Sequence, residues 1–98
     1  MDNNIRLVFK GTVTNLAGNR FGNEVFLEQV QGKIDEKNKN VVIFPETIED
    51  IASSFIEGFY KYLAEKYGKE KAIEIMKLKA EHPESERKIE NSIETYGV

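Results

Sequence analysis

Four apolar β-formers in a row, Val41-Val42-Ile43-Phe44, constrain the fold more than any other stretch of this chain. They follow the polar, asparagine-rich segment Asp35 to Asn40 and are closed by Pro45. A run that short, with no polar residue on either face, reads as a central buried strand. Proline has no N–H to give a ladder, so Pro45 takes the chain off the sheet at once. A central strand needs neighbours on both sides, and the remaining sequence has to supply them.

Ile5 to Val13 alternates, with Ile5, Leu7, Phe9 and Val13 on one face and Arg6, Lys10 and Thr12 mostly on the other. That period predicts a half-exposed strand near a sheet edge. Thr14 to Asn23 collects Asn15, Gly18, Asn19, Gly22 and Asn23 and reads as a loop. Asn23 is then expected to cap a helix with Glu24 and Glu28 early and a stripe of Phe26, Leu27, Val30 and Ile34.

Beyond Pro45, Ser53 and Ser54 precede the clearest helix. Phe55, Ile56, Phe59, Tyr60, Leu63, Ala64 and Tyr67 give it a broad apolar face, and Gly68 a stop. Gly58 lies inside it, which points to close approach of another backbone. Lys69 to Glu81 carries two patterns, resolved here as a helical turn around Lys69–Ile73 and a strand around Ile75–Ala80. Pro83 is expected to end that strand, Ser85 to cap a last helix striped by Ile89, Ile93 and Tyr96, and Gly97 to terminate it. A stripe that narrow packs outside a domain or against a partner. Strands alternating with helices predict a single α/β domain over residues 1–98, with three or four mostly parallel strands and about three helices.

Bulk chemistry narrows the function classes. The chain has 98 residues, no cysteine and one histidine, so thiolate chemistry, cysteine-held zinc and histidine-dependent triads have almost no material. His82 reads as a loop residue, and neither a metal nor a cofactor is expected. A net charge of −3, with lysines interleaved among glutamates, disfavours nucleic acid as a partner. No stretch reaches the ~18 apolar residues of a membrane span, and the polar start Met1-Asp2-Asn3-Asn4 has no signal-peptide character. The expectation is a cytoplasmic protein.

Four candidate sites stand out. Ser53 and Ser54 open the main helix, where an unfilled turn of N–H groups tolerates a phosphate; the plainer reading is that one of them caps the helix. Gly18 to Gly22, with Arg20 and Gly22, could form an anion-binding loop, although its spacing matches no phosphate-binding fingerprint and a glycine turn is the plainer reading. Glu46, Glu49 and Asp50 cluster in a connection, and carboxylates need burial to divide acid from base roles. Tyr62 falls off the apolar face with Lys61 and Glu65 and is expected to be an exposed partner contact, alongside Ile48 in the turn ahead of the serines.

The strand Val41–Phe44, then Ile48 and Ile51, then Ser53-Ser54-Phe55 with Phe59 and Tyr60, resembles the STAS-like domains. These are an uncharacterised bacterial family related in fold to anti-sigma factor antagonists. Arg20 with Gly22 is similar to that family's early arginine–glycine element, so the resemblance runs from Arg20 to the C-terminus. It departs at Phe44 and Gly58, where acidic residues are usual, and at Ala52, where the antagonists carry an aspartate before their serine. The resemblance implies a STAS-like sheet and a non-enzymatic regulatory module. It also implies a protein partner with a histidine-kinase-type ATPase domain that phosphorylates Ser53. Two rivals remain: a structural subunit, such as a homodimer joined through the C-terminal helix, and a small enzyme using the Arg20 loop with the Glu46–Asp50 carboxylates.

Overall fold

Val41–Phe44 is the middle of the sheet. In the computed structural model, which describes residues 2–96, it belongs to β3 (Asn40–Phe44), with β1 (Asn3–Arg6) on one side and β5 (Met76–Ala80) on the other. Both pairings are parallel; Ile5, Val42 and Leu78 share one row and Arg6, Ile43 and Lys79 the next. A second, two-residue parallel ladder joins β2 (Asn15–Leu16) to β4 (Asp50–Ile51). The helices among the described residues are α1 (Asn19–Val25), running directly into a π-helical turn (Phe26–Val30), α2 (Ser53–Tyr67), α3 (Lys69–Ile75) and α4 (Pro83–Tyr96). The architecture is the expected α/β one, with four helices in place of about three.

Strands are added in one direction across the sheet, so crossovers of one hand bring their helices to the same face. Burial agrees. Ile5, Leu7, Val42, Phe44, Met76 and Leu78 are buried beneath the helices, where Phe44 packs on Phe55 and Phe59 of α2. The alternate residues Asn4, Arg6, Lys77 and Lys79 are exposed, and Val41 and Ile43 are only half-buried. The wholly apolar run of β3 is therefore central, as expected, but covered on one face alone.

Several boundaries differ from the sequence expectation for identifiable reasons. The first strand was expected to reach Val13, but its ladder ends with the Leu7 N–H donating to Ile43 (3.0 Å), because Pro45 ends the partner. Phe9 and Val13 keep their inward orientation as partly buried residues against the core. The segment 14–23 is not a loop throughout: it holds β2 and the first turn of α1. That helix begins after Gly18, whose φ of +97° suits glycine, so Asn23 lies inside the helix and caps nothing. Leu27 turns outward to 43% exposure, while the i→i+5 bond from Gln31 to Phe26 (2.9 Å) keeps Phe26 and Val30 buried. Tyr67, expected on the apolar face of α2, is exposed and donates to Glu36 (2.7 Å).

The ambiguous stretch resolves as expected, with α3 followed by β5. Pro83 begins α4, with the half-buried His82 Nδ1 accepting from the Glu84 N–H (3.2 Å). Ser85, expected as the cap, is buried one turn further in and donates to the Ile48 carbonyl (2.7 Å). Ile89 is buried, and Ile93 and Tyr96 pack against the core, with Tyr96 stacked on Tyr60. Gly97, the expected terminator, lies outside the described residues.

Candidate functional site

The two glycines that interrupt helical patterns face one another. A Cβ on Gly22 would overlap the Phe55 carbonyl and crowd the Phe59 N–H, and one on Gly58 would overlap the Asn19 carbonyl. α1 and α2 thus cross backbone to backbone, which only glycine at both positions permits. Helical turns at 19–22 are imposed by this crossing, against the local preference of Gly18 to Gly22 for a loop.

The crossing brings the early arginine–glycine element and the serine pair to one corner. The Gly18 N–H donates to Ser54 Oγ (3.0 Å), tying the start of α1 to the start of α2. Phe21, 36% exposed, meets the buried Phe55 edge-on at 5.6 Å between ring centroids. The turn before α2 is strapped to β2 by Glu49 N–H to Thr14 (2.7 Å) and Ala52 N–H to Leu16 (2.8 Å). Ala52, extended at φ −77° and ψ 150°, stands at the N-cap, with no side-chain hydrogen bond to the helix. Neither serine is therefore a cap. Ser54 is half-buried and committed to Gly18, whereas Ser53 is exposed and its hydroxyl has no partner among the described residues.

The other candidates fare differently. Ile48 is fully buried, so its side chain is not a docking contact; its carbonyl serves Ser85. Tyr62 is half-buried, stacked on Phe26 at 5.6 Å with Lys66 beside its ring, because α1 continues far enough to cover it. Arg20 and Gly22 lie on a helix and form no loop. The Arg20 side chain is 93% exposed and pairs with Glu24 (3.2 Å), the i,i+4 partner that helical geometry supplies. Glu46 and Glu49 are exposed, and the Asp50 carboxylate lies 3.5 Å from Lys88. Among the described residues no group of three or more His, Asp or Glu side chains is placed to hold a metal ion, and no helix is long and apolar enough to cross a membrane.

Two features escaped the sequence. Asn40, placed by composition in a polar turn, is fully buried at the head of β3. Its amide donates to the carbonyls of Asp35 (2.7 Å), Asn38 (3.1 Å) and Ile75 (3.0 Å) and accepts from Asn3 (2.8 Å) and the Asp35 N–H (2.9 Å). The uncovered sheet face is the second. Its signal was the alternation of Lys77 and Lys79 with Met76, Leu78 and Ala80, which marks a strand with one wet face. Tyr60 also anchors the helix layer, donating to the Met76 carbonyl (2.5 Å), and burial pushes its phenol far above the ordinary value.

Compared with protein-family models, curated proteins and solved structures, the chain matches none.

Proposed function

We propose that this chain is a non-enzymatic protein-binding module that docks through the corner formed by the first turns of α1 and α2 and is switched by phosphorylation of Ser53. The observation that carries the reading is the division of labour between the serines. Ser54 holds the corner together through Gly18, and Ser53, one residue earlier, is exposed and unengaged. Beside them Phe21 offers a partly exposed aromatic, a residue type enriched at the core of protein interfaces. A phosphate on Ser53 would add about −1.5 to −2 of charge against that surface. The first N–H groups of α2 stand ready to hold it in place.

The resemblance of the Val41–Tyr60 stretch to STAS-like domains implies a histidine-kinase-type ATPase as the partner and kinase, and with it a bacterial cytoplasmic setting. The exposure of Arg20, Glu46 and Glu49 speaks against the small-enzyme alternative, which needs a buried site joining them. The test is a comparison of Ser53→Asp with Ser53→Ala in binding the ATPase-domain protein recovered with the wild type. Ser53→Asp is expected to weaken binding by about tenfold or more and Ser53→Ala to leave it unchanged. Equal binding by both would remove the switch and leave docking alone.

A further inference from the structure

In a strand, successive residues turn their N–H and C=O groups to opposite edges. Val42 pairs with Leu78, and the Glu81 N–H donates to the Phe44 carbonyl (3.0 Å), so Lys77, Lys79 and Glu81 bond to β3. The backbone groups of Met76, Leu78 and Ala80 therefore face the outer edge of β5. Met76 and Ala80 are engaged from within the chain. The Met76 N–H donates to the Ala72 carbonyl, the Met76 carbonyl accepts from the Tyr60 hydroxyl (2.5 Å), and the Ala80 N–H donates to Glu86 (2.9 Å). Leu78 lies between them, only 5% exposed, and neither its N–H nor its carbonyl has a partner among the described residues. A buried residue with both backbone groups open is rare. Leu78 also lines a groove of about 620 Å³ bounded by β5, α3 and α4, with Tyr60, Ile73, Ile89 and Ile93 as apolar walls. The rim carries both signs of charge, Glu90 and Glu94 with Lys39 and Lys77 among them, so charge selects no occupant. The open backbone pair does.

We propose that this groove takes a short extended segment of a partner polypeptide, one residue of which exchanges both backbone hydrogen bonds with Leu78 as an antiparallel pair. Tyr60 on one side and Glu86 on the other hold the pairing to that single rung. The side chain of the paired residue points the same way as that of Leu78, toward Ile89 and Ile93, and is apolar. Its two neighbours point with Lys77 and Lys79 to the exposed face and are polar. A helix does not fit, because its backbone groups are spent on its own turns. The open edge of a second copy fits poorly too. In β1 the Leu7 N–H donates to Ile43, so Asn4 and Arg6 turn their backbone groups outward, and either would bring a polar side chain into the apolar groove. The inference is independent of the Ser53 switch, since Ser53 opens α2 and takes no part in the groove.

The test is amide hydrogen exchange and chemical-shift titration of the isotope-labelled chain with two probes. One is a capped peptide of four serines around a central leucine. The other is the same peptide with the leucine nitrogen methylated, which keeps the side chain and removes the donor. In the free protein the Leu78 amide is expected to exchange about tenfold or more faster than those of Lys77 and Lys79, which donate into the ladder. The first peptide is expected to shift the Leu78 and Ile93 signals and to slow exchange at Leu78. The methylated peptide is expected to bind about tenfold or more weakly, for the loss of one hydrogen bond. A Leu78 amide as protected as its neighbours in the free chain would reveal an internal partner and overturn the proposal. Equal binding of the two peptides, or no shift with either at about ten millimolar, would overturn it as well. So would protection of Leu78 that grows with protein concentration alone, which would assign the groove to a second copy.

Discussion

At the scale of single residues, the structure rests on a few positions whose chemistry has no substitute. Asn40 satisfies backbone groups from the 35–38 turn and from the end of α3 in a site closed to water. Asn40→Ala would leave the Ile75 carbonyl and the Asp35 N–H unpaired, and is expected to cost about 2–4 kcal/mol. Urea unfolding would show this as a lower midpoint with unchanged slope. Gly22 and Gly58 are constrained by volume. Gly58→Ala must push α1 off α2 and should cost about 2–3 kcal/mol. A Cβ on Gly32 meets nothing within 4 Å, so Gly32→Ala should be neutral or stabilise by up to about 1 kcal/mol. The same unfolding series distinguishes the two glycine classes, and equal effects would contradict the crossing geometry.

At the scale of elements, ends and edges are held by side chains from elsewhere in the chain. The Gln29 amide closes on both the N–H and the carbonyl of Val8 (2.8 Å each), completing the edge where β1 leaves the ladder. The Glu86 carboxylate accepts from the Ala80 N–H (2.9 Å) on the outer edge of β5. Such plugs deny an incoming strand its hydrogen bonds. The turn before β3 is tied to α2 through Glu36, which accepts from Tyr67 (2.7 Å) and Lys66 (3.0 Å). The Tyr67 hydrogen bond, and then that of Lys66, hold the Glu36 carboxyl below the usual glutamate value of 4.5. A lowered carboxylate value contributes stability that is complete above 4.5 and lost as the pH falls through the folded-state value. The stability gap between wild type and Glu36→Gln should therefore hold from neutral pH to about pH 5 and close below it. A gap independent of pH would show that the tie is not ionic.

Elements were legible in the sequence where a long apolar pattern spoke for itself. The Phe55–Tyr67 helix follows from its periodicity and the Val41–Phe44 strand from its unbroken apolar run, while Lys69–Glu81 carried both patterns and divides into helix and strand near Ile75. The two-residue strands at Asn15 and Asp50 were not legible, because ladders that short carry no period. Cap positions misled for a different reason. Ser54 and Ser85 are drawn into tertiary hydrogen bonds, with Gly18 and Ile48, and Ala52 and His82 stand at the helix starts in their place. The corner itself was half legible: its serines and its arginine–glycine element were singled out separately, and only the glycine crossing showed that they adjoin.

At the scale of the whole molecule, strand order decides what is left to bind. Two crossovers advancing in one direction place α1, α2 and α3 on one side of the sheet, α4 packs beside β5 and α2, and the other face carries the exposed Asn4, Arg6, Lys77 and Lys79. Ile89 of α4 closes the core beside β5. Ile89→Ala should cost about 2–4 kcal/mol, whereas truncating exposed Glu90 should change stability by less than about 0.5 kcal/mol, both read by thermal unfolding.

The central claim is a docking module switched at Ser53. Its most direct test is mass spectrometry of the protein isolated from its source cells, with the phosphorylated and unmodified pools separated and their co-purifying proteins identified. Phosphate is expected on Ser53 and not on Ser54, with an ATPase-domain protein accompanying the unmodified pool alone. Phosphate on Ser54, equal recovery of that protein with both pools, or an unmodified chain with no companion would contradict it.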